Sequence, residues 1–228
     1  NGITHALQKT EVEKDLGIKI DSQLNFDNHI SEIITKANKI VGIIKRNFKD
    51  LNYSSFSALY KSLVRSHLEY GQSVWSPYKM KHIEALEAVQ RRATKIIPSL
   101  RNPSYTERLR RLSLPTLTYR RVRGDVIELY KIVHGVYSVD ACPKLEFSAT
   151  TKTRGHCYKI FKRPCLTNAR QHYFSYRVVD NWNSLPNDVV TACSVNSFKN
   201  ALDKYWSSQD TVYNYRSLIT AGNPDRNY

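Results

Sequence analysis

Asn28-His-Ile30-Ser-Glu-Ile33-Ile34-Thr-Lys-Ala37-Asn-Lys-Ile40-Val41-Gly-Ile43-Ile44-Lys-Arg-Asn-Phe48 is the stretch that decides the fold. Ile30, Ile33, Ile34, Ala37, Ile40, Val41, Ile44 and Phe48 recur at intervals of three and four, one face of an amphipathic helix about five turns long. Asp27 or Asn28 supplies a side chain able to cap its start. An apolar stripe of that length has to be covered, so helices should dominate the neighbouring sequence. A second helix begins near Ser54 with Phe56, Leu59, Tyr60, Leu63, Val64 and His67 on one face and stops around Gly71. A third runs from about Lys81 to Ile97, burying Ile83, Leu86, Val89 and Ala93, until Pro98 ends it.

Before these helices, Ile3 to Leu7 and Leu16 to Ile20 are short apolar runs, the second alternating at the period of a half-buried strand, so a β-hairpin opens the chain. After them, Pro103 and Pro115 bracket a helical piece from Tyr105 to Leu112, and a fourth long helix spans about Thr118 to Val133. The pattern weakens around Pro143. It resumes with a strand at Cys157 to Phe161, a helix through Phe174, Val178 and Trp182, and a last helix from Ser194; the polar residues after Trp206 read as frayed. The expectation is a mostly α fold: a small N-terminal β-hairpin over residues 1–25, a helical bundle over 26–98, a basic helical connector over 99–140 and a basic, mixed α/β C-terminal region over 141–228.

The formal net charge of +15 is unevenly placed. Between Arg91 and Asp125 lie Arg91, Arg92, Lys95, Arg101, Arg108, Arg110, Arg111, Arg120, Arg121 and Arg123, opposed only by Glu107 and Asp125. Between Thr151 and Arg177 lie Lys152, Arg154, Lys159, Lys162, Arg163, Arg170 and Arg177 with no acid. The rest of the chain is balanced, so the excess builds local fields of the kind that hold a polyanion. Arg91, Arg92 and Lys95 share the side of their helix away from Leu86. Arg120, Arg121 and Arg123 open the next long helix, where cations oppose the macrodipole by about 0.3–1 kcal/mol each, an arrangement that an anionic partner would relieve. In the tail segment, Tyr158 and Phe161 interleave with Lys159, Lys162 and Arg163, the ingredients of single-strand binding, although either ring serves equally well as core.

Several chemistries find no residues. No two aspartates are adjacent, as a two-metal polymerase or nuclease site would favour. Gly71-Gln-Ser73-Val-Trp75 starts like a nucleophile elbow, but Trp75 stands where a second glycine is required. No glycine-rich phosphate loop is present, His29 and His67 read as packed groups, and no run of eighteen apolar residues occurs. Cys142, Cys157, Cys165 and Cys193 lack zinc-ligand spacing and read as reduced thiols.

The motifs carry a resemblance. Lys14-Asp-Leu-Gly-Ile18 with Asp21, Leu24, Phe26 and His29-Ile30 is followed by Leu59-Tyr60-Lys61, Leu68-Glu69-Tyr70-Gly71 and Trp75-Ser-Pro77. Leu86-Glu87-x-Val89-Gln90-Arg91-Arg92-Ala93, Arg120-Arg121-x-Arg123-Gly124-Asp125, Thr153-Arg154-Gly155-His156 and Trp182-Asn183-x-Leu185-Pro186 follow in order. From Asp15 to about Trp206 the chain resembles the thumb and C-terminal region of reverse transcriptases from non-LTR retrotransposons, the jockey-like and chicken-repeat-like LINE elements. That resemblance implies a fragment of an RNA-directed DNA polymerase with a nuclear location, whose Ala-Asp-Asp motif, palm, fingers and magnesium lie outside this chain. It implies a primer grip at Leu16, Gly17 and Ile18, a thumb-like bundle, and a basic C-terminal region holding RNA, an RNA/DNA hybrid or DNA. The chain itself carries no catalytic residues on this reading, needs no cofactor of its own and meets no membrane. The competing readings are a helical module whose basic face meets an acidic protein, and an inert, decayed element.

Overall fold

The computed structural model describes residues 10–148 and 155–220. The protein is mostly α with a small N-terminal β-hairpin. The hairpin pairs β1 (Val12–Asp15) antiparallel with β2 (Ile18–Asp21), Asp15 opposite Ile18. Leu16 and Gly17 make the two-residue turn, both with positive φ (44° and 84°), as a turn matched to strand twist requires. The run Ile3 to Leu7 lies outside the described residues.

α1 (Asp27–Asn47) is the long helix expected from the isoleucine stripe, with Ile30, Ala37, Val41 and Ile44 buried. Neither Asp27 nor Asn28 caps it. No side chain caps this helix; Asp21 of the hairpin orders the turn before it, its carboxylate accepting from the backbone N–H groups of Gln23, Asn25 and Phe26. Asp27 instead meets His82 Nε2 at 2.6 Å. Phe48, expected on the buried stripe, caps the far end and is exposed.

α2 (Tyr53–Leu59) continues through a π-helical segment, Tyr60–Arg65, into α3 (Ser66–Glu69). The wider turn changes which residues face inward. Phe56, Tyr60, Val64 and Leu68 form the buried row, at uniform spacings of four, while Leu63 is exposed and His67 only half-buried. After Gly71, whose φ of 59° breaks the helix, come α4 (Gln72–Trp75) and α5 (Met80–Ala93). A side chain on Gly71 would meet Ile18 Cδ1 at 2.6 Å, so a glycine here lets the hairpin seat against the bundle.

α6 (Tyr105–Leu112) is capped by Ser104 and α7 (Leu117–Val133) by Thr116, whose side chains accept from Glu107 N and Tyr119 N. Among the described residues, the C-terminal part is built from four short helices, α8 (Asn168–Gln171), α9 (Phe174–Arg177), α10 (Val179–Asn183) and α11 (Asn187–Val190), and the longer α12 (Val195–Tyr205), which Ser194 caps. The strand expected at Cys157 to Phe161 reduces to an isolated bridge between Phe147 and Ile160. The reason is local: the Asn183 amide brackets Ile160, accepting from its N–H and donating to its C=O, and so occupies groups that a ladder would use.

Two buried clusters meet along α7. One gathers the bundle from Ile18 to Leu117; the other gathers Tyr119, Val126 and Tyr130 of α7 with Trp182, Phe198, Leu202 and Trp206. The described residues after Trp206, 207–220, are not frayed. Thr116 donates its hydroxyl to Thr211 O at 2.6 Å and its N–H to Val212 O at 2.9 Å, and Tyr213 packs on the first cluster, so the tail returns across the bundle. No described helix is long and apolar enough to cross a membrane.

Candidate nucleic-acid interface

α1 and α5 run side by side in one direction, since Asp27 meets His82 at their starts and Asn38 meets Arg92 further along. Beyond Asn38 the same stripe of α1 carries Gly42 and Lys45, and Lys95 lies in the turn that follows the end of α5 at Ala93. Arg92, Lys95 and Lys45 are exposed, and a side chain built on Gly42 would meet nothing within 4 Å. The result is an open strip with a bare backbone floor and cations on both sides. Arg91 is set differently: its guanidinium lies 5.3 Å from the Tyr105 ring and 5.6 Å from the Tyr215 ring and donates to Tyr215 Oη. Tyr215 comes from the returning tail, a partner that no local reading of α5 finds.

The α7 arginines do not form the free cluster that their spacing implied. Arg120 donates twice to the Glu69 carboxylate, at 2.7 Å each, and this pairing raises its pKa. Arg123 donates twice to Asp203 of α12. Arg121 is 4% exposed and donates to Thr118 Oγ1. The macrodipole conflict is therefore met by acids and packing inside the fold, and burial withdraws Arg121 from any phosphate outside it.

In the C-terminal part, Lys162, Arg163 and Arg170 line one cleft of about 240 Å³ with Lys144, Phe161 and Tyr176. Lys162 pairs with Asp180 and Arg163 with Glu146. Arg170 lies 5.3 Å from the centre of the Tyr176 ring, and Tyr176 Oη is buried without a hydrogen-bond partner. Phe161 is 54% exposed at this cleft, whereas Tyr158 is partly buried against the second cluster and gives its carbonyl to Trp182 Nε1. Of the two rings considered for base stacking, Phe161 is the accessible one. Lys144 was missed in the sequence because it sits in the weakly patterned segment near Pro143. Lys159 is half-buried, with its carbonyl accepting from Ser148 N, and Lys152 and Arg154 lie outside the described residues.

At the hairpin, Leu16 is 82% exposed at the tip, its carbonyl accepting from Tyr70 Oη at 2.9 Å, while Ile18 is buried. Leu16, Gly17 and Ile18 thus divide, with the tip presented and the third residue used as an anchor. Among the described residues no three of His, Cys, Asp and Glu come together to hold a metal ion, and all four cysteines are free thiols.

No family model matches the chain. No solved structure matches it. An uncharacterized protein of Caenorhabditis elegans is 27% identical over 126 residues, covering 54% of this chain. The chain spans 64% of that relative's length.

Proposed function

We propose that this chain binds nucleic acid as the thumb and C-terminal region of a LINE-type RNA-directed DNA polymerase, gripping RNA, an RNA/DNA hybrid or DNA. The observation that carries the reading is the cleft whose lining brings Lys144, Lys162, Arg163 and Arg170 together with the exposed Phe161 ring and one acid, Glu146. Cations track a phosphate backbone and an exposed ring accepts a base, which makes binding salt-dependent and tolerant of sequence. The ion pairs of Lys162 and Arg163 do not count against this, because exposed pairs contribute only about 0–1 kcal/mol and a phosphate competes for the same donors. The strip flanked by Arg92, Lys95 and Lys45 adds a second contact surface. On this reading the magnesium of polymerisation is held by residues outside this chain, in the nucleus of the cell.

The test is a fluorescence titration against single-stranded RNA, an RNA/DNA hybrid and duplex DNA at low and moderate salt. Salt-sensitive binding that favours RNA or hybrid is expected. Phe161→Ala should weaken single-strand binding by about 1–3 kcal/mol, and Arg92→Gln with Lys95→Gln should lower the salt slope by about two units. Absence of binding at low salt refutes the reading, and binding to acidic protein in its place favours the interaction module.

A further inference from the structure

The cations of this chain divide by what holds them. Arg111, Arg120, Arg123, Lys162, Arg163 and Arg177 each pair with a carboxylate. Arg91 and Arg110 form no ion pair with a described carboxylate and are held by rings, Arg91 by Tyr105 and Tyr215 and Arg110 by Tyr213, 5.6 Å away. Arg216 lies 5.6 Å from the same Tyr215 ring and makes an exposed pair with Glu84 of α5 at 2.9 Å. Tyr213, Tyr215 and Arg216 all belong to the returning tail, so these contacts gather where the tail crosses α5 and α6. Arg110 and Arg216 are exposed. Arg91 is half-buried: Nη2 donates to Tyr215 Oη at 3.2 Å, while Nε and Nη1 meet no acceptor among the described residues and neither is sealed from solvent. The acids nearby are engaged, Glu87 by Tyr105 Oη and Leu117 N, Glu107 by Arg111 and Glu84 by Arg216. A ring attracts a guanidinium and fixes its place, yet leaves its charge unneutralised.

We propose that the tail builds on α5 and α6 a platform for the phosphate backbone of nucleic acid, with Arg91, Arg110 and Arg216 as phosphate donors and Tyr213 and Tyr215 as positioning residues. The inference rests on the nucleic-acid reading above and adds to it a second site, completed by a segment 124 residues from Arg91 in sequence. An arginine already held over a ring loses little rotamer freedom when a phosphate arrives, so the tail makes the association tighter without adding a contact of its own rings to the ligand. The tyrosine rings are engaged by guanidiniums, whereas the exposed Phe161 ring of the cleft carries none. The platform is therefore fitted to phosphates and not to bases, and it receives single-stranded and duplex nucleic acid alike.

The test titrates the whole chain with labelled single-stranded RNA and duplex DNA over a range of salt, with the thermal midpoint of each variant as a check on folding. Arg91→Gln with Arg110→Gln should weaken both probes and lower the salt slope by about 1.4 units for RNA and about 1.8 for the duplex. Tyr215→Leu, which removes no charge, should weaken both probes about three- to tenfold with the slope unchanged, the cost of ordering guanidiniums that the ring had held. Tyr215→Phe keeps the ring and should bind as the wild type does. A wild type that binds neither probe refutes the nucleic-acid reading and this site with it. Binding that is unchanged in the double arginine variant but weakened by Phe161→Ala leaves the cleft standing and overturns the platform. A loss in Tyr215→Phe as large as that in Tyr215→Leu overturns the positioning role. Poly-glutamate that binds as tightly as RNA, with the same loss in the arginine variant, gives the surface to an acidic protein and overturns the proposal.

Discussion

Replacing Arg177 with Met tests whether the two halves are locked by the ion pair at their seam. Arg177 holds Asp125 of α7 bidentately and also donates to Ser73 O at 2.7 Å and His172 O at 2.9 Å, so one side chain ties α4, α7 and the C-terminal helices together. The side chains are 15% and 6% exposed, which makes this a buried pair. Removing one member leaves an uncompensated carboxylate, a loss of about 3–5 kcal/mol. For a chain of this size that lowers the thermal midpoint by about 6–20 °C. Burial raises the Asp125 pKa above its ordinary 3.8, so the fold binds a proton there more tightly than the unfolded chain. That preference adds stability below the unfolded pKa and is lost as pH rises through the folded value. Without Arg177 the carboxyl rises further, so the variant's deficit should be largest near about pH 7 and smaller near about pH 5. Urea unfolding followed by the buried Trp75, Trp182 and Trp206 measures it at both pH values. Arg177→Met with Asp125→Asn should recover most of the loss, the remainder reflecting the two carbonyls left without a donor. A deficit under about 1 kcal/mol at neutral pH, or one that the second substitution does not reduce, refutes the argument.

Leu16→Asn should raise stability by about 0.5–1 kcal/mol in thermal unfolding, because asparagine accepts the positive φ that leucine adopts at a cost; a loss would show that the exposed leucine packs on something. Thr116→Val removes both the α7 cap and the donor to Thr211 O, and should cost about 2–4 kcal/mol in urea unfolding while exposing the 207–220 segment to proteolysis. Burial lowers the pKa values of His29, His156 and His172 below 6.5, so their contribution is complete above 6.5 and is lost as pH falls from there through the folded values. The thermal midpoint should drop between about pH 7.5 and about pH 5.5, and less steeply in His156→Gln, a comparison from which the opposing Asp125 titration cancels.

Much of the helical order was legible because it is written in local periodicity. The α1 stripe, the bounds of α6 and the start of α12 follow from residues adjacent in sequence. Where the helix from Tyr53 was misread, at Leu63 and His67, the inward row had assumed 3.6 residues per turn through a π segment. The candidate site was legible in composition and only partly in geometry. Phe161, Lys162, Arg163 and Arg170 do share a cleft, but nothing near Arg120 or Arg123 in sequence announced Glu69 or Asp203, which are brought to them by α3 and α12.

By itself the sequence determined a helical chain with a hairpin start and two concentrations of positive charge, since helix faces and net charge depend on spacing and composition alone. Tertiary structure decided which of those charges remain available. Exposure and pairing depend on what distant segments bring: Asp203 neutralises Arg123, Tyr215 holds Arg91, and the seam buries Arg121 with one nitrogen unpaired. A cation's availability is set by its whole surroundings, and those surroundings exist only once the chain has folded.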